Sequence, residues 1–285
     1  MSITRPTSVE IASGKDKGDE NFPVGSLLIR RDLRRHVHAY YAFARNADDI
    51  ADHPDLAAGD KIARLDVMGA VLAGATDHGS PAALALRASL AETGVDPVHA
   101  SDLLIAFRQD ATKHRYASWA ELMQYCRYSA APVGRYVLAL HNETPATWPA
   151  SDALCASLQV LNHIQDCARD LAELDRSYLP GDWLAREGIT PEAVRDPALT
   201  PPLRRVLDAM LAETAALNRT AADLPRRVRA RGLRMETAII LGLARRLHRR
   251  LRHGDPLAAR VKLRPSDAIG AIIASLPRAL SPRPR

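Results

Sequence analysis

The sequence is poor in cysteine, in aromatic residues and in long apolar runs. Its 285 residues are 5% aromatic and include three cysteines without a CxxC pair: Cys126, Cys155 and Cys167. Three scattered thiols predict a reducing compartment and packing roles, not a disulfide framework. No apolar run approaches the roughly 20 residues of a membrane-spanning helix, and no basic-then-apolar N-terminus predicts a secretory signal. We therefore expect a cytoplasmic protein, in contact with the inner face of the membrane at most peripherally.

The chain also lacks the patterns of strands and of nucleotide sites. We find no alternating apolar–polar stretch, no glycine-rich phosphate loop and no histidine–cysteine spacing typical of zinc. These absences argue against a β-sheet protein and against a nucleotide-dependent or zinc enzyme. Hydrophobic residues make up 47% of the chain and charged residues 25%, which is ordinary for a globular protein with a sizeable core.

The pattern that is present predicts helices. Their expected ranges are residues 33–52, 61–72, 81–92, 98–113, 119–140, 152–172, 203–223, 233–251 and 265–276. The intervening loops are too short for domain linkers. We therefore predict an all-α fold, with a loose lead-in over residues 1–19 and a single helical domain over residues 20–285.

An unusual polar line occurs in the first of these helices. Residues three or four apart share a helix face, so one line contains Tyr41, Arg45, Asp48 and Asp52. Two carboxylates one turn apart repel each other unless a cation lies between them or one of them is protonated. By itself, such a pair is more often a solvated acidic turn than a functional site.

A second helix repeats this chemistry. Within residues 152–172, Asn162, Asp166 and Asp170 share one face, and Gln165 and Arg169 flank it. Mg²⁺ prefers carboxylate oxygens and completes its shell with water and substrate phosphates, and arginine forks bind phosphate well. Two such lines on separate helices predict a site for Mg²⁺, or alternatively Mn²⁺, and a diphosphate.

The net charge is +6, and arginine is concentrated between residues 226 and 252. A solvated helix face is the first interpretation of this region. Contact with an anionic membrane surface is the second. No recognised nucleic-acid motif accompanies the arginines and aromatic residues are few, so we expect no nucleic-acid partner.

The two acidic lines resemble the aspartate-rich motifs of the squalene and phytoene synthase family, which are α-helical isoprenoid synthases. The matching sequences are DDIAD at residues 48–52, NHIQDCARD at residues 162–170 and RSYLP at residues 176–180. A finer resemblance is to the branch that makes hydroxysqualene in bacterial hopanoid biosynthesis. It rests on ENFPV at residues 20–24, YAFAR at residues 41–45 and the stretch 106–135. The resemblance extends over about residues 19–250.

This resemblance implies a helical bundle around a central cavity that holds a prenyl diphosphate. The implied Mg²⁺ ligands are Asp48, Asp52, Asn162, Asp166 and Asp170. The implied contacts with substrate and diphosphate are Phe22, Arg45, Gln165 and Arg169. His163, inside the second motif, is interpreted as a packing residue and not as a metal ligand.

The implied catalytic residues are Tyr41 and Tyr125, whose rings would line the cavity near a carbocation. The implied reaction converts presqualene diphosphate and water into hydroxysqualene and diphosphate, without NADPH. One alternative is head-to-head condensation of two prenyl diphosphates to presqualene diphosphate, squalene or phytoene, which would use the same aspartates. A remote alternative is a non-catalytic helical scaffold, which has no reason to keep four such aspartates. The sequence leaves the oligomeric state open.

Overall fold

The structure is a computed structural model that describes residues 8–10 and 28–280, with side chains up to residue 275. The described chain is built almost wholly from helices, which confirms the predicted all-α class. It divides into two compact units, residues 1–112 and residues 113–285. The single domain and the central cavity stay predictions. Among the described helices, none combines the length and the apolar character needed to cross a membrane.

The first unit contains four helices in its described part. They are α1 (Arg34–Asp52), α2 (Ala58–Leu72), α3 (Pro81–Thr93) and α4 (Val98–Asp110). α1 packs against the other three and buries Val37, Phe43, Ala47 and Ile50. Because these apolar residues recur every three to six positions, the intervening polar residues of α1 fall on the other side of the helix.

The N-terminus of α3 is capped by two side chains. Ser80 Oγ accepts a hydrogen bond from the amide of Ala83 at 3.1 Å. The carboxylate of Glu10 accepts from the Ser80 hydroxyl at 2.7 Å and from the amide of Ala82 at 2.6 Å. A carboxylate is favourable at this positive end of a helix. Residues 8–10 belong to the predicted loose lead-in, and this part of it is therefore anchored.

The second unit contains eight helices and two short strands in its described part. They are β1 (Arg115–Tyr116), α5 (Trp119–Ser129), α6 (Ala131–Leu140), α7 (Trp148–Leu174), β2 (Ser177–Pro180), α8 (Gly181–Arg186), α9 (Pro201–Thr220), α10 (Leu224–Arg227), α11 (Arg231–His253) and α12 (Pro265–Leu280). Short 3₁₀ turns occupy Pro145–Thr147, Pro191–Arg195 and Ala221–Asp223. The long helix α7 packs against α6, α9 and α11, and α12 packs against α11.

This unit contains two short helices that the predicted ranges omit, α8 and α10, and it differs from the sequence prediction in three further features. The range 119–140 forms two helices that meet at Ala130, because Pro132 lacks the amide needed to continue one helix. α7 begins at Trp148 and not at residue 152, since Pro149 is tolerated in a first helical turn. Finally, β1 and β2 pair in parallel. Two strands of two and four residues are too short to show an alternating pattern.

The three cysteines are free thiols, in agreement with the predicted absence of a disulfide framework. Burial raises the pKa of Cys126, Cys155 and Cys167 to about 12. Because a thiolate is the reactive form, these protonated thiols are poor nucleophiles and serve as packing groups.

Candidate active site

The first acidic motif lies at the C-terminal end of α1, in the first unit. Arg45 forms ion pairs with Asp48 at 3.1 Å and with Asp49 at 2.7 Å. The side chain of Asp49 is 8% exposed, whereas that of Asp48 is 36% exposed. Asp49, which sequence reasoning left out of the site, therefore holds Arg45 from the buried side. The more exposed Asp48 is left accessible to a ligand.

The position of these carboxylates on α1 is electrostatically unfavourable. The helix ends at Asp52, has no basic residue in its last turn and carries Asp48 and Asp49 one turn earlier. The C-terminal end of a helix already has a partial negative charge. One compensating cation is Lys61, whose ammonium donates to the carbonyl of Ala51 at 2.8 Å. This end of α1 therefore attracts cations.

Two further residues were predicted for this part of the site, and the structure describes one of them. Tyr41 is half-buried on α1, on the line that contains Arg45. Phe22 and the surrounding ENFPV sequence lie outside the described residues.

The second acidic motif lies on α7, in the second unit. A continuous helix carries Asn162, Asp166 and Asp170 at intervals of four residues, so they share a face as predicted. Asp166 is only 9% exposed. Arg169 reaches one of its oxygens at 2.8 Å. Asp170 has a side chain that is 13% exposed and lies 4.0 Å from Arg169.

A residue absent from the predicted site, Arg260, contacts both carboxylate oxygens of Asp166, one through a hydrogen bond and one at ion-pair distance. Its Nε lies 2.9 Å from one carboxylate oxygen, and its Nη2 donates to the other at 3.1 Å. Arg260 belongs to the connection between α11 and α12, residues 254–264, which we call the strap. Both oxygens of Asp166 thus contact arginine.

The strap is held at a second, adjacent point of the motif. The side-chain amide of Gln165 donates a hydrogen bond to the carbonyl of Val261. Gln165 is 3% exposed, so this bond is shielded from water. The contact of Gln165 with a diphosphate stays a prediction. Arg260 lies 94 residues from Asp166 in the chain, beyond the reach of any local spacing rule.

The acidic end of α7 resembles that of α1. The helix ends at Leu174 with no basic residue in its last turn, and Asp175 follows in the left-handed conformation with φ 49°. The amide of Arg176 caps the carbonyl of Asp170 at 3.0 Å. Here too the carboxylates lie towards the negative end of the helix dipole, which favours a cation.

An aromatic cluster lies beside the second motif. The rings of Tyr116, Tyr125 and Tyr178 have centroids 5.3–5.5 Å apart, and His163 stacks on Tyr178 at 3.5 Å. Tyr125 is 4% exposed. Burial, assisted by the nearby Arg176, lowers the pKa of His163 to about 3, so the imidazole is neutral at pH 7. His163 Nε2 has no hydrogen-bond partner among the described residues. This buried, stacked position agrees with the predicted packing role.

The donor chemistry of the second motif fits a hard divalent cation. It offers two carboxylates and one amide on a single helix face, and two guanidinium groups already contact the inner carboxylate. Mg²⁺ commonly uses one or two protein carboxylates and takes its other ligands from water and phosphates. In the described part of the chain, no group of three or more His, Cys, Asp or Glu side chains has the closeness of a metal site. The two motifs belong to different units, and the five assigned metal ligands stay predictions.

Comparison with known proteins places the chain among isoprenoid synthases. The sequence model described as squalene/phytoene synthase matches residues 15–267, which include both motifs and Arg260. The chain is 44% identical to hydroxysqualene synthase from Rhodopseudomonas palustris over 91% of this chain and 89% of that protein. It is 43% identical to hydroxysqualene synthase from Sinorhizobium fredii over 88% of this chain and 86% of that protein. Superposition on the crystal structure of squalene synthase HpnC from Alicyclobacillus acidocaldarius gives a TM-score of 0.73 and 33% sequence identity. It covers 83% of this chain and 90% of that chain.

Proposed function

Because the chain belongs to the squalene/phytoene synthase family of isoprenoid synthases, we propose that it converts presqualene diphosphate and water into hydroxysqualene and diphosphate. The choice within the family is supported by two relatives named hydroxysqualene synthase that are 43–44% identical over most of the chain. In this reaction the bond between carbon and the diphosphate oxygen breaks. The resulting cyclopropylcarbinyl cation rearranges, a water oxygen bonds to carbon, and one proton is released.

The observation that carries the diphosphate chemistry is the arginine-bound carboxylate on α7. Asp166 is nearly buried, lies one turn from Asp170 and is held by Arg169 and Arg260. We assign Mg²⁺, with Mn²⁺ as a substitute, to this motif together with Asn162. The family resemblance assigns two further ligands, Asp48 and Asp52, to the first motif. When bound, the cation supplies Lewis acidity that makes diphosphate a better leaving group.

The arginines of the site bind the diphosphate and stabilise its growing negative charge. Arg45 is oriented by Asp49, and Arg169 and Arg260 are oriented by Asp166. Guanidinium forks match phosphate oxygens in pairs, and such charge-assisted hydrogen bonds are stronger than neutral ones. Arg260 is thus added to the predicted diphosphate contacts Arg45, Gln165 and Arg169.

Tyr125 supplies an aromatic wall for the carbocation. Its ring is fixed by Tyr116 and Tyr178, at centroid distances of 5.3 and 5.5 Å, and it is nearly excluded from water. An aromatic face stabilises a nearby cation, more strongly where water is absent. Tyr41 is assigned the same role from the first unit. Water adds without a change in oxidation level, so the reaction uses no NADPH.

Product analysis tests this proposal. Purified protein and Mg²⁺ are incubated separately with presqualene diphosphate and with farnesyl diphosphate, without NADPH. We expect hydroxysqualene and diphosphate from the first substrate and no product from the second. Presqualene diphosphate made from farnesyl diphosphate would move the protein to the condensing branch. Failure to convert either substrate, with a family enzyme active in parallel, would refute the proposal and favour the scaffold alternative.

A further inference from the structure

A basic groove lies between α9 and α11, in the second unit. It has a volume of about 460 Å³, which is in the range of sites for small ligands. Its charged lining contains no carboxylate among the described residues and consists of Arg219, Arg245, Arg249, Arg252, His248 and His253. Three of these arginines follow one another on α11 at intervals of four and three residues, so they share one face over about 10 Å of helix. The fourth, Arg219, lies in the last turn of α9.

Hydrogen bonds between the two helices fix the walls of the groove. His248 of α11 donates to the carbonyl of Leu211 on α9 at 2.8 Å. Towards the end of α11, Arg204 of α9 donates to the carbonyl of Leu251 at 3.1 Å. The same guanidinium is paired with Asp208, so this carboxylate of α9 already has a cation. Because the walls are joined in this way, a ligand does not have to order them, which lowers the cost of binding.

Three arginines of the groove lack counter-charge. Arg219, Arg249 and Arg252, which we call the outer arginines, are exposed and form no ion pair in the part of the chain that the structure describes. By contrast, Arg250 on the same helix is paired with Asp267 at 2.8 Å. Cations held together without counter-charge repel one another, and an anionic ligand removes this repulsion. The groove is therefore electrostatically suited to a compact anion with several negative charges.

We propose that the basic groove binds a small soluble polyphosphate, a compound with two or three linked phosphate groups. Guanidinium forks match phosphate oxygens in pairs, which favours phosphate over other anions. A single phosphate group cannot contact arginines spread over about 10 Å of α11 and the end of α9, whereas a chain of phosphates can contact several of them. The inference does not rest on the reaction proposed above.

The lining of the groove distinguishes this ligand from nucleotides and nucleic acids. Its described residues include no aromatic side chain on which a base could stack. The sequence also has no glycine-rich phosphate loop. The phosphate chain therefore supplies the recognised part of the ligand, and a nucleoside attached to it should add little affinity.

The groove and the acidic motifs should respond to Mg²⁺ in opposite ways. Mg²⁺ binds phosphate oxygens and lowers the negative charge that a polyphosphate offers. The groove has no carboxylate in its described lining to hold such a cation, so it prefers the metal-free ligand. The motifs on α1 and α7 carry carboxylates and favour a cation. This difference separates binding in the groove from binding at the candidate active site.

Calorimetry with the full-length protein and inorganic triphosphate tests the proposal. The titration is performed with a chelator of divalent cations, at about 0.1 M salt. We expect one triphosphate to bind per chain, adenosine triphosphate to bind about as tightly, and excess Mg²⁺ to weaken both. The double variant Arg219→Gln/Arg252→Gln, with one change on each helix, should weaken binding by about 25-fold, roughly fivefold for each exposed arginine.

Two further variants show whether the loss belongs to the groove. Arg219→Lys/Arg252→Lys keeps both charges but not the forks, so its affinity should lie between those of the wild type and the Gln variant. Arg31→Gln/Arg226→Gln is the matched control, because it removes two charges at exposed arginines outside the groove. This control should bind triphosphate as the wild type does. Thermal unfolding of all the variants should show that they fold.

Several results would overturn the proposal. One is the absence of triphosphate binding without metal. Another is binding that the Gln variant of the groove leaves unchanged, which would place the ligand at other arginines, or an equal loss in the matched control. Binding of anionic vesicles or of a single-stranded oligonucleotide that triphosphate does not displace would assign the groove to a macromolecular partner and would refute the small ligand.

Discussion

Replacing Arg260 with Gln should affect metal binding and diphosphate binding in opposite directions. In the structure, Arg260 holds both oxygens of Asp166 at 2.9 and 3.1 Å. A cation that binds Asp166 has to displace this guanidinium, so Arg260 competes with metal alone. Once diphosphate is present, the displaced guanidinium binds phosphate oxygens and supports the complex. The variant should therefore bind metal alone more tightly and diphosphate with metal more weakly.

The expected change in metal affinity depends on how far water reaches the contact between Arg260 and Asp166. A partly buried guanidinium that contacts both oxygens of a carboxylate is held more strongly than an exposed surface ion pair, which contributes at most about 1 kcal/mol. Arg260 is 35% exposed and Asp166 11%, so solvent screens this contact only in part. We take about 1–2 kcal/mol for the contact, which corresponds to about 5–30-fold in metal affinity. Arg169 remains on Asp166 in the variant and limits the gain.

Titration of Mn²⁺ followed by the electron paramagnetic resonance of the free ion measures the first effect. Calorimetry of diphosphate binding at saturating Mg²⁺ measures the second. Arg249→Gln is the matched control, because it removes one charge from the same unit at an exposed position without an ion pair among the described residues. The reasoning is refuted if Arg260→Gln leaves the affinity for Mn²⁺ alone unchanged or lowers it. It is refuted equally if Arg249→Gln reproduces the gain.

Three further changes test the remaining parts of the site. Asp170→Asn should lower kcat/KM by more than about 100-fold and abolish the Mg²⁺-induced rise in Tm, whereas the exposed neighbour Glu173→Gln should do neither. Asp49→Asn should lower the free energy of unfolding by about 2 kcal/mol and raise KM, because Arg45 loses its buried partner; a change in stability without a change in KM would contradict the positioning role. His163→Phe should preserve the stack on Tyr178 and raise stability at pH 7 by about 1–3 kcal/mol, as measured by urea unfolding. The free energy of unfolding of the wild type should also fall by up to about 1.4 kcal/mol for each pH unit below pH 6.5. The reason is that the pKa of His163 is about 3 in the folded state, so in this range only the unfolded state binds the proton. An equal fall in His163→Phe would exclude this cause.

The sequence predicted helices well where proline, glycine or polar caps mark their ends. α1 was expected over residues 33–52 and is Arg34–Asp52, and α3 was expected over residues 81–92 and is Pro81–Thr93. The predicted helix ends were wrong where a proline could either begin a helix or end one. Pro149 lies inside the first turn of α7, whereas Pro132 follows the break between α5 and α6. Only the local backbone decides between starting and stopping a helix.

Helix periodicity was enough to predict the site residues that share one face of a single helix. The line of Asn162, Asp166 and Asp170 follows from intervals of four residues, and a continuous α7 carries it. Periodicity does not reveal contacts made across the fold. Arg260 reaches Asp166 from a connection without regular secondary structure, and nothing in its local sequence marks it. Asp49 lies next to the predicted line, and its importance to Arg45 is apparent only from its burial.

The placement of the acidic residues argues for a ligand-binding role rather than a structural one. α1 and α7 both end in turns without a basic residue, and each carries two or more carboxylates towards that negative end. Each such charge costs roughly 0.3–1 kcal/mol near a helix C-terminus. On α7 the compensation comes partly from Arg260, on a strap that also accepts a hydrogen bond from Gln165. A scaffold gains nothing from an acidic helix end that an arginine on a distant connection has to neutralise. A site that exchanges a guanidinium for a metal and then offers that guanidinium to a phosphate uses every one of these groups.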